Sequence, residues 1–400
     1  MKKVLILGAG IYQVPLIQTA KKMGIYTIVA SIPGNYPGFE LADKVYFENT
    51  TDYGKILAIA RREKIDGIIT TGTDVAVITI GRVCDTLGLP GLSFQAASIA
   101  TDKLKMKTCY EENGVRTARF RRISFDDEDY ARQISDLAFP LMFKSVDSSG
   151  SRGIVKVNSP AEFDDARNVV LENTRSNYFV VEEFIEGEEF GAQAYVRGGE
   201  IQFILPHGDD IFKGDTGVPV GHFAPYALSP ERLEDTKEQL QRAIRAMGLD
   251  NCAINADFIM KDGKTYVLEI GGRSGATCLA ELVSIYYGYN YYEKILKTAL
   301  GEPVDFRAGD GTPADRCAGT PNASMLLMSD RDGVIRAQEN NNPEDPDIVD
   351  VQFDYQPGDT VRKFHVGPHR IGHVITRGDT LDEAVEKLHQ ALDNIRITVE

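Results

Sequence analysis

Apolar and polar residues follow two rhythms along this chain. Over the first hundred residues the short apolar runs "KVLILGAG", "YTIVAS" and "DGIITTG" take turns with the amphipathic stretches "VPLIQTAKKMG", "YGKILAIARREK" and "AVITIGRVCDTLG". That order predicts β-α-β-α-β-α, and so a parallel sheet with helices on its faces. Beyond about residue 100 the rhythm changes. A helix is expected from about Thr101 to Asn113, closing at Gly114. It is followed by "ARFRRIS", a helix over "DEDYARQISDL", two short strands joined by a glycine loop in "KSVDSSGSRGIVKV", a helix after Pro160, and the run "NYFVVEEFIEGEEFGAQAYV". These make a small α+β unit with antiparallel strands. From about Ile201 to Leu300 the pattern predicts two strands, a long loop "PHGDDIFKGDTGVPVGHFAPY", an amphipathic helix near 230–247 and a hairpin around "MKDGKT". The tail holds an acidic loop "NNPEDPDIVD", the run "RIGHVITRG" and a closing helix "TLDEAVEKLHQALDNI". The expected units are 1–100, 101–300 with a subdomain at about 115–181, and a small C-terminal unit, 301–400.

Composition adds limits. Four hundred residues exceed one core and suggest several domains. With 42% hydrophobic and 26% charged residues the chain reads as globular. A net charge of -15 argues against nucleic acid or an anionic membrane as partner, while leaving room for a local basic pocket. The five cysteines, at 84, 109, 252, 278 and 317, show no zinc spacing, so a reducing cytoplasm is expected. Gly8 and Gly10 break the first apolar run, which does not read as a signal peptide, and no stretch has the length of a membrane span.

The candidate chemistry is scattered. In "KSVDSSGSRGIVKV" the lysine precedes the glycines and a strand follows them, which excludes a Walker loop. A phosphate cradle and a plain linker both remain. "GAGIYQ" departs from the dinucleotide fingerprint, because Gln13 stands at the third glycine and Ser31 where an acidic residue would hold the ribose. A tight turn is the simpler reading. "FVVEEFIEG" places carboxylates beside Phe184 and Ile185, and Asp257 and Glu269 are hard oxygen donors suited to magnesium. Each piece alone also fits a flexible loop, an exposed strand end or two surface carboxylates.

Their order is more specific. Lys103, Lys144 with "SSGSRG", "EEFIEGEE", Asp257 and "EIGGR" resemble the nucleotide site of the ATP-grasp superfamily, in the branch with carbamoyl phosphate synthetase, biotin carboxylase and the carboxylate-amine ligases. The resemblance spans essentially the whole chain. It implies an N-terminal parallel α/β domain, an ATP-grasp fold with lid and core subdomains, and a small C-terminal segment. It also implies ATP, one or two Mg2+ ions, and small-molecule carboxylate and amine substrates; the sequence leaves the oligomeric state open, with a homodimer as the default. Lys103 and Lys144 would meet the ATP phosphates under a mobile loop containing Gly150, Ser151 and Gly153. Glu182, Glu183, Phe184 and Ile185 would border the adenine, and Glu189, rather than its neighbour Glu188, the ribose. Asp257 and Glu269 would hold the metal, and Arg273 would face the transferred phosphate. Lys144 and Arg273 are the catalytic candidates. One departure is Gly271, where the family usually has an asparagine that serves the second metal.

For the substrates, Thr73 and Asp74 end a parallel strand, where open α/β sheets bind ligands. Asp215, Thr216 and His222 lie in the long loop. "SIYYGYNYY" is expected to be packing rather than a binding box. The expected reaction is ATP-dependent activation of a carboxylate as an acyl phosphate and its transfer to an amine. The alternatives are a bicarbonate-using carboxylase working through carboxyphosphate, a nucleotide-gated binding protein without turnover, and, more remotely, an oxidoreductase. The hairpin poses a parity problem: a two-residue "DG" turn would put Asp257 and Glu269 on opposite faces. A three-residue "KDG" loop would pair Met260 with Lys264 and Asn255 with Glu269, leaving the two carboxylates diagonal, about 7–8 Å apart. That register offers Asn255 as a stand-in for the side chain missing at Gly271, and sends Tyr266 and Leu268 to the core.

Overall fold

The computed structural model describes residues 1–150, 152–214 and 216–400; Ser151 and Asp215 lie outside the described residues. The opening parallel sheet orders its strands Lys44–Phe47, Tyr26–Ser31, Lys3–Leu7 and Gly67–Ile69. Its central strands read as unbroken apolar runs because both faces are covered. Val4 and Ile6 pack with Leu16 and Ile17 of the helix Val14–Lys22. Leu5 and Leu7 point the other way, onto Ile56 and Ile59 of Tyr53–Glu63 and Val83 of Val77–Leu87. The first of these cores continues through Tyr287 and Tyr291 to Tyr195, so the opening sheet and the central sheet share apolar packing. Tyr287 and Tyr291 donate to the carbonyls of Ile204 and Ala194, which makes "SIYYGYNYY" packing, as expected.

The helix Lys103–Glu112 starts where the Asp102 carboxylate accepts the N–H groups of Leu104 and Lys105, and ends before Gly114, whose φ of 65° suits glycine. The next unit is a four-stranded antiparallel sheet, ordered Phe120–Ser124, Tyr178–Glu183, Leu141–Lys144 and Ile154–Val157. The helix Phe163–Glu172 backs it over a core of Phe143, Phe163 and Phe179. "DEDYARQISDL" keeps only one helical turn, Tyr130–Gln133. Asp129 makes no side-chain cap there, and a single turn already buries Tyr130, Ile134 and Leu137.

The largest sheet has eight antiparallel strands and crosses the expected unit boundary. Its order is Lys264–Gly271, Cys252–Lys261, Glu188–Arg197, Glu200–Ile211, Pro219–Ala224, Asn322–Leu327, Gly372–Arg377 and Ile348–Phe353. Two expectations therefore change. "PHGDDIFKGDTGVPVGHFAPY" is mostly strand, because Glu200–Ile211 and Pro219–Ala224 pair as a hairpin; its glycines mark close packing and the turn. The end of "NNPEDPDIVD" is likewise a strand, paired with Gly372–Arg377. The closing helix Leu381–Asp393 begins with a Thr380–Glu383 capping box and packs its Ala384, Leu388 and Ala391 against the C-terminal strands. No helix among the described residues is long and apolar enough to cross a membrane.

Candidate active site

The hairpin resolves its parity by a route other than a longer loop. Lys261 pairs with Lys264 across a two-residue turn in which Asp262 and Gly263 have φ of 52° and 74°, the left-handed values that an Asp-Gly pair supplies. A bulge then intervenes. Asp257 stands opposite Glu269 while Phe258 stands opposite Val267, leaving Leu268 as the extra residue. The two carboxylates share a face after all. Asn255 pairs with Gly271 instead of Glu269, and its Oδ1 accepts from Gln193 at 2.6 Å. Thr265 is buried against Thr236, whereas Tyr266 and Leu268 leave the main core. They join Ala118, Ile185 and Ile259 in a small apolar patch; Ala118 was not singled out from the sequence, and Leu268 was expected in the core.

Next to that patch lies a buried cluster of charge. Glu182, in Tyr178–Glu183, forms a short ion pair with Lys144 at the end of the neighbouring strand and another, at 2.5 Å, with Lys107. Burial opposes its ionisation, but the two ammonium groups outweigh this and bring the Glu182 carboxyl down to about 2. Lys107 was missed in the sequence. Its signal was the spacing, four residues after Lys103 on one helix, which puts both on the same side. Lys103 Nζ reaches Glu269 at 3.3 Å and the carbonyl of Ser148 at 2.7 Å, so it joins the metal candidates to the glycine loop. Gly150 and Gly153 in that loop have φ of 67° and 65°; a Cβ on Gly153 would meet Ser145 Oγ at 2.7 Å. Strand alternation sends Glu183 to the opposite face, where Arg119 and the Ala138 N–H hold it away from the cluster. Phe184 carries the Lys156 ammonium over its ring, while Ile185 is buried in the apolar patch.

Acidic groups line the other side. Asp257 is raised to about 7, first by burial, then by Glu269 and Asp209. Glu189 lies at the exposed mouth, yet nearby protein and the Asp209 charge push its carboxyl up; Glu188 instead faces Tyr226 and Arg232. Hard oxygens that repel one another at neutral pH fit a divalent cation. Arg273 is clamped by Asp74, Nε to Oδ1 at 2.9 Å and Nη2 to Oδ2 at 2.7 Å. That pair bears on Gly271, where an added Cβ would lie 3.3 Å from Asp74 Oδ1. A side chain at position 271 would crowd the Asp74 carboxylate. Thr73 Oγ1 accepts from Val75 N–H at 3.4 Å, a local turn bond.

Of the second-substrate candidates, Thr216 turns away and donates to the carbonyl of His365. His222 belongs to the site's edge, where its Nδ1 lies 2.6 Å from Asp209 Oδ1; His207 meets the same oxygen at 2.9 Å. His207 and Asp209 went unnoticed because their stretch was read as loop, although "HGD" has strand alternation. "GAGIYQ" folds as a self-satisfied turn: Gln13 Oε1 accepts from Gly10 N–H and its amide donates to the carbonyl of Thr71.

Residues 137–281 match the ATP-grasp domain, and residues 325–400 match the L-amino acid ligase C-terminal domain 2. A formate-dependent phosphoribosylglycinamide formyltransferase of Synechococcus sp. (strain WH7803) is 25% identical, covering 83% of this chain and 82% of that protein. The L-amino acid ligase of Bacillus licheniformis shares the fold, with a TM-score of 0.81 at 19% identity over 100% of this chain and 99% of that one. The crystal structure of phosphoribosylglycinamide synthetase from Anaerococcus prevotii superimposes with a TM-score of 0.84 at 33% identity, covering 100% of both chains. Identity on that scale, sustained from end to end, means that the chain belongs to the ATP-grasp family of ATP- and Mg2+-dependent ligases.

Proposed function

We propose that the protein uses ATP to phosphorylate a small carboxylate and passes the acyl group to an amine, forming a carbon-nitrogen bond and releasing ADP and phosphate. One observation carries the reading: Lys144, Lys103 and Arg273 come from three separate elements to the same opening as the Asp257–Glu269 pair, with Lys103 3.3 Å from Glu269. Phosphoryl transfer needs positioned positive charge and little covalent help. Ile185 and Leu268 offer the adenine an apolar wall. Glu182 fixes Lys144 as the lysine that meets phosphate oxygens, and Asp74 does the same for Arg273. Asp257 and Glu269 would hold Mg2+, which when bound neutralises charge developing on the phosphates. The related proteins are named for formate, alanine and L-amino acids, which supports a small carboxylate as the group activated.

ADP release by the purified protein tests this against formate, bicarbonate and the common amino acids, singly and in pairs. A carboxylate and an amine that stimulate release together, with a stoichiometric amide product, are expected. Stimulation by bicarbonate alone would identify a carboxylase instead, and nucleotide binding without release under any pair would identify a binding protein.

A further inference from the structure

A buried relay of His207, Asp209 and His222 lies beside the metal candidates. Asp257, Gly191 and His207 stand in one row across three strands, and a Cβ on Gly191 would lie 2.2 Å from His207 Cε1, so the imidazole lies flat over that glycine. Hydrogen bonding fixes its proton. The N–H of Gly275 donates to Gln193 Oε1, which turns the Gln193 amide nitrogen toward Asn255 Oδ1 and His207 Nε2. His207 Nε2 is therefore an acceptor, and its Nδ1 carries the proton given to Asp209. His222, paired with Asp209 across the next strand, donates its own Nδ1 proton to the same oxygen. Both imidazoles thus meet one carboxylate oxygen, the arrangement of a proton-handling unit. His222 is 3% exposed, and its Nε2 has no hydrogen-bond partner among the described residues. The Asp209 charge is felt by Glu189 and Asp257, the carboxylates proposed to border the nucleotide and the metal, and Asp257, Gly191 and His207 share one row of the sheet.

We propose that His222 is the general base of the second half-reaction, with Asp209 and His207 as the residues that position it. The inference rests on the acyl-phosphate reading above. An amine is protonated in neutral water and must shed a proton to solvent before it can attack. Attack by the neutral amine forms the carbon-nitrogen bond and leaves a surplus proton on nitrogen. His222 Nε2 takes that proton as the carbon-oxygen bond breaks and phosphate departs with the bonding pair. Asp209 stabilises the imidazolium so formed.

Hydroxylamine separates the two halves of the reaction, because it is neutral at neutral pH and captures acyl phosphates without a base. The test uses ATP, Mg2+ and the carboxylate and amine that give the strongest ADP release in the panel above. His222→Gln should lower amide formation by about 10²–10⁴-fold, as loss of a general base does, while hydroxamate formation stays within about threefold of wild type. Asp209→Asn should give the same split with a smaller loss. Retention of MgADP binding by thermal shift verifies that each variant is folded, and if His222→Gln does not fold, Asp209→Asn decides. Parallel loss of amide and hydroxamate in a folded variant would overturn the base assignment, as would unchanged amide formation. Absence of hydroxamate from wild type would overturn the acyl-phosphate reading itself.

Discussion

Replacing Glu182 by Gln should loosen the lysine-bearing sheet by a measurable amount. Glu182 is 2% exposed and lies between Lys107 and Lys144. Its carboxyl falls from the ordinary 4.5 to about 2, which corresponds to a stabilisation on the order of 3 kcal/mol. Breaking a buried ion pair from one side costs about 3–5 kcal/mol, because the remaining charge has no partner. The two figures agree on the order of 3 kcal/mol. Amide hydrogen exchange of Tyr178–Glu183 and Leu141–Lys144 at pH 7 reads this locally, whereas whole-chain unfolding averages over several packed units. Exchange should accelerate on the order of 100-fold in Glu182→Gln. The pH dependence has a definite sign: a depressed carboxyl contributes fully above about 4.5, and its contribution is lost as pH falls toward 2. An acceleration under about tenfold, or wild-type protection unchanged at pH 2.5, would refute the cluster's stabilising role.

Lys144→Met should abolish ADP release while circular dichroism stays native, because Lys107 still neutralises Glu182. Asp257, held near 7 against an ordinary 3.8, binds its proton more tightly when folded. The ligand-free protein should therefore lose thermal stability as pH rises from about 4 through 7, more steeply than Asp257→Asn, and saturating Mg2+ should flatten the slope. Gly271→Asn should push Asp74 off Arg273 and cost about 1.5–3 kcal/mol, or roughly 10- to 100-fold in kcat/KM, while Gly271→Asn combined with Asp74→Ala should be no worse than Asp74→Ala alone.

Much of the architecture could be read from the chain because its signals are local. The parallel sheet followed from runs such as "KVLIL", and the lysines and carboxylates of the site followed from short motifs in a fixed order. What escaped was decided by contacts between distant segments. A one-residue bulge at Leu268 brought Asp257 and Glu269 to one face, although the turn itself was the shorter one and Asn255 landed elsewhere. His207 and Asp209 were hidden because glycines at 208, 214, 217 and 221 made a strand pair read as loop, while Gly208 and Gly221 are there to let Phe223 and the Ser324 carbonyl come close. The crowding at Gly271 showed only once Asp74, nearly two hundred residues earlier in the chain, was seen against it.

The central claim is that a carboxylate oxygen passes through an acyl phosphate, and isotope transfer tests it most directly. The carboxylate that stimulates ADP release is supplied with both oxygens as 18O, and the inorganic phosphate is analysed by mass spectrometry after turnover with the amine. Attack by the carboxylate on the terminal phosphate of ATP, followed by amine displacement, predicts one 18O atom in each phosphate released. Phosphate free of label, formed alongside amide product, would contradict the account.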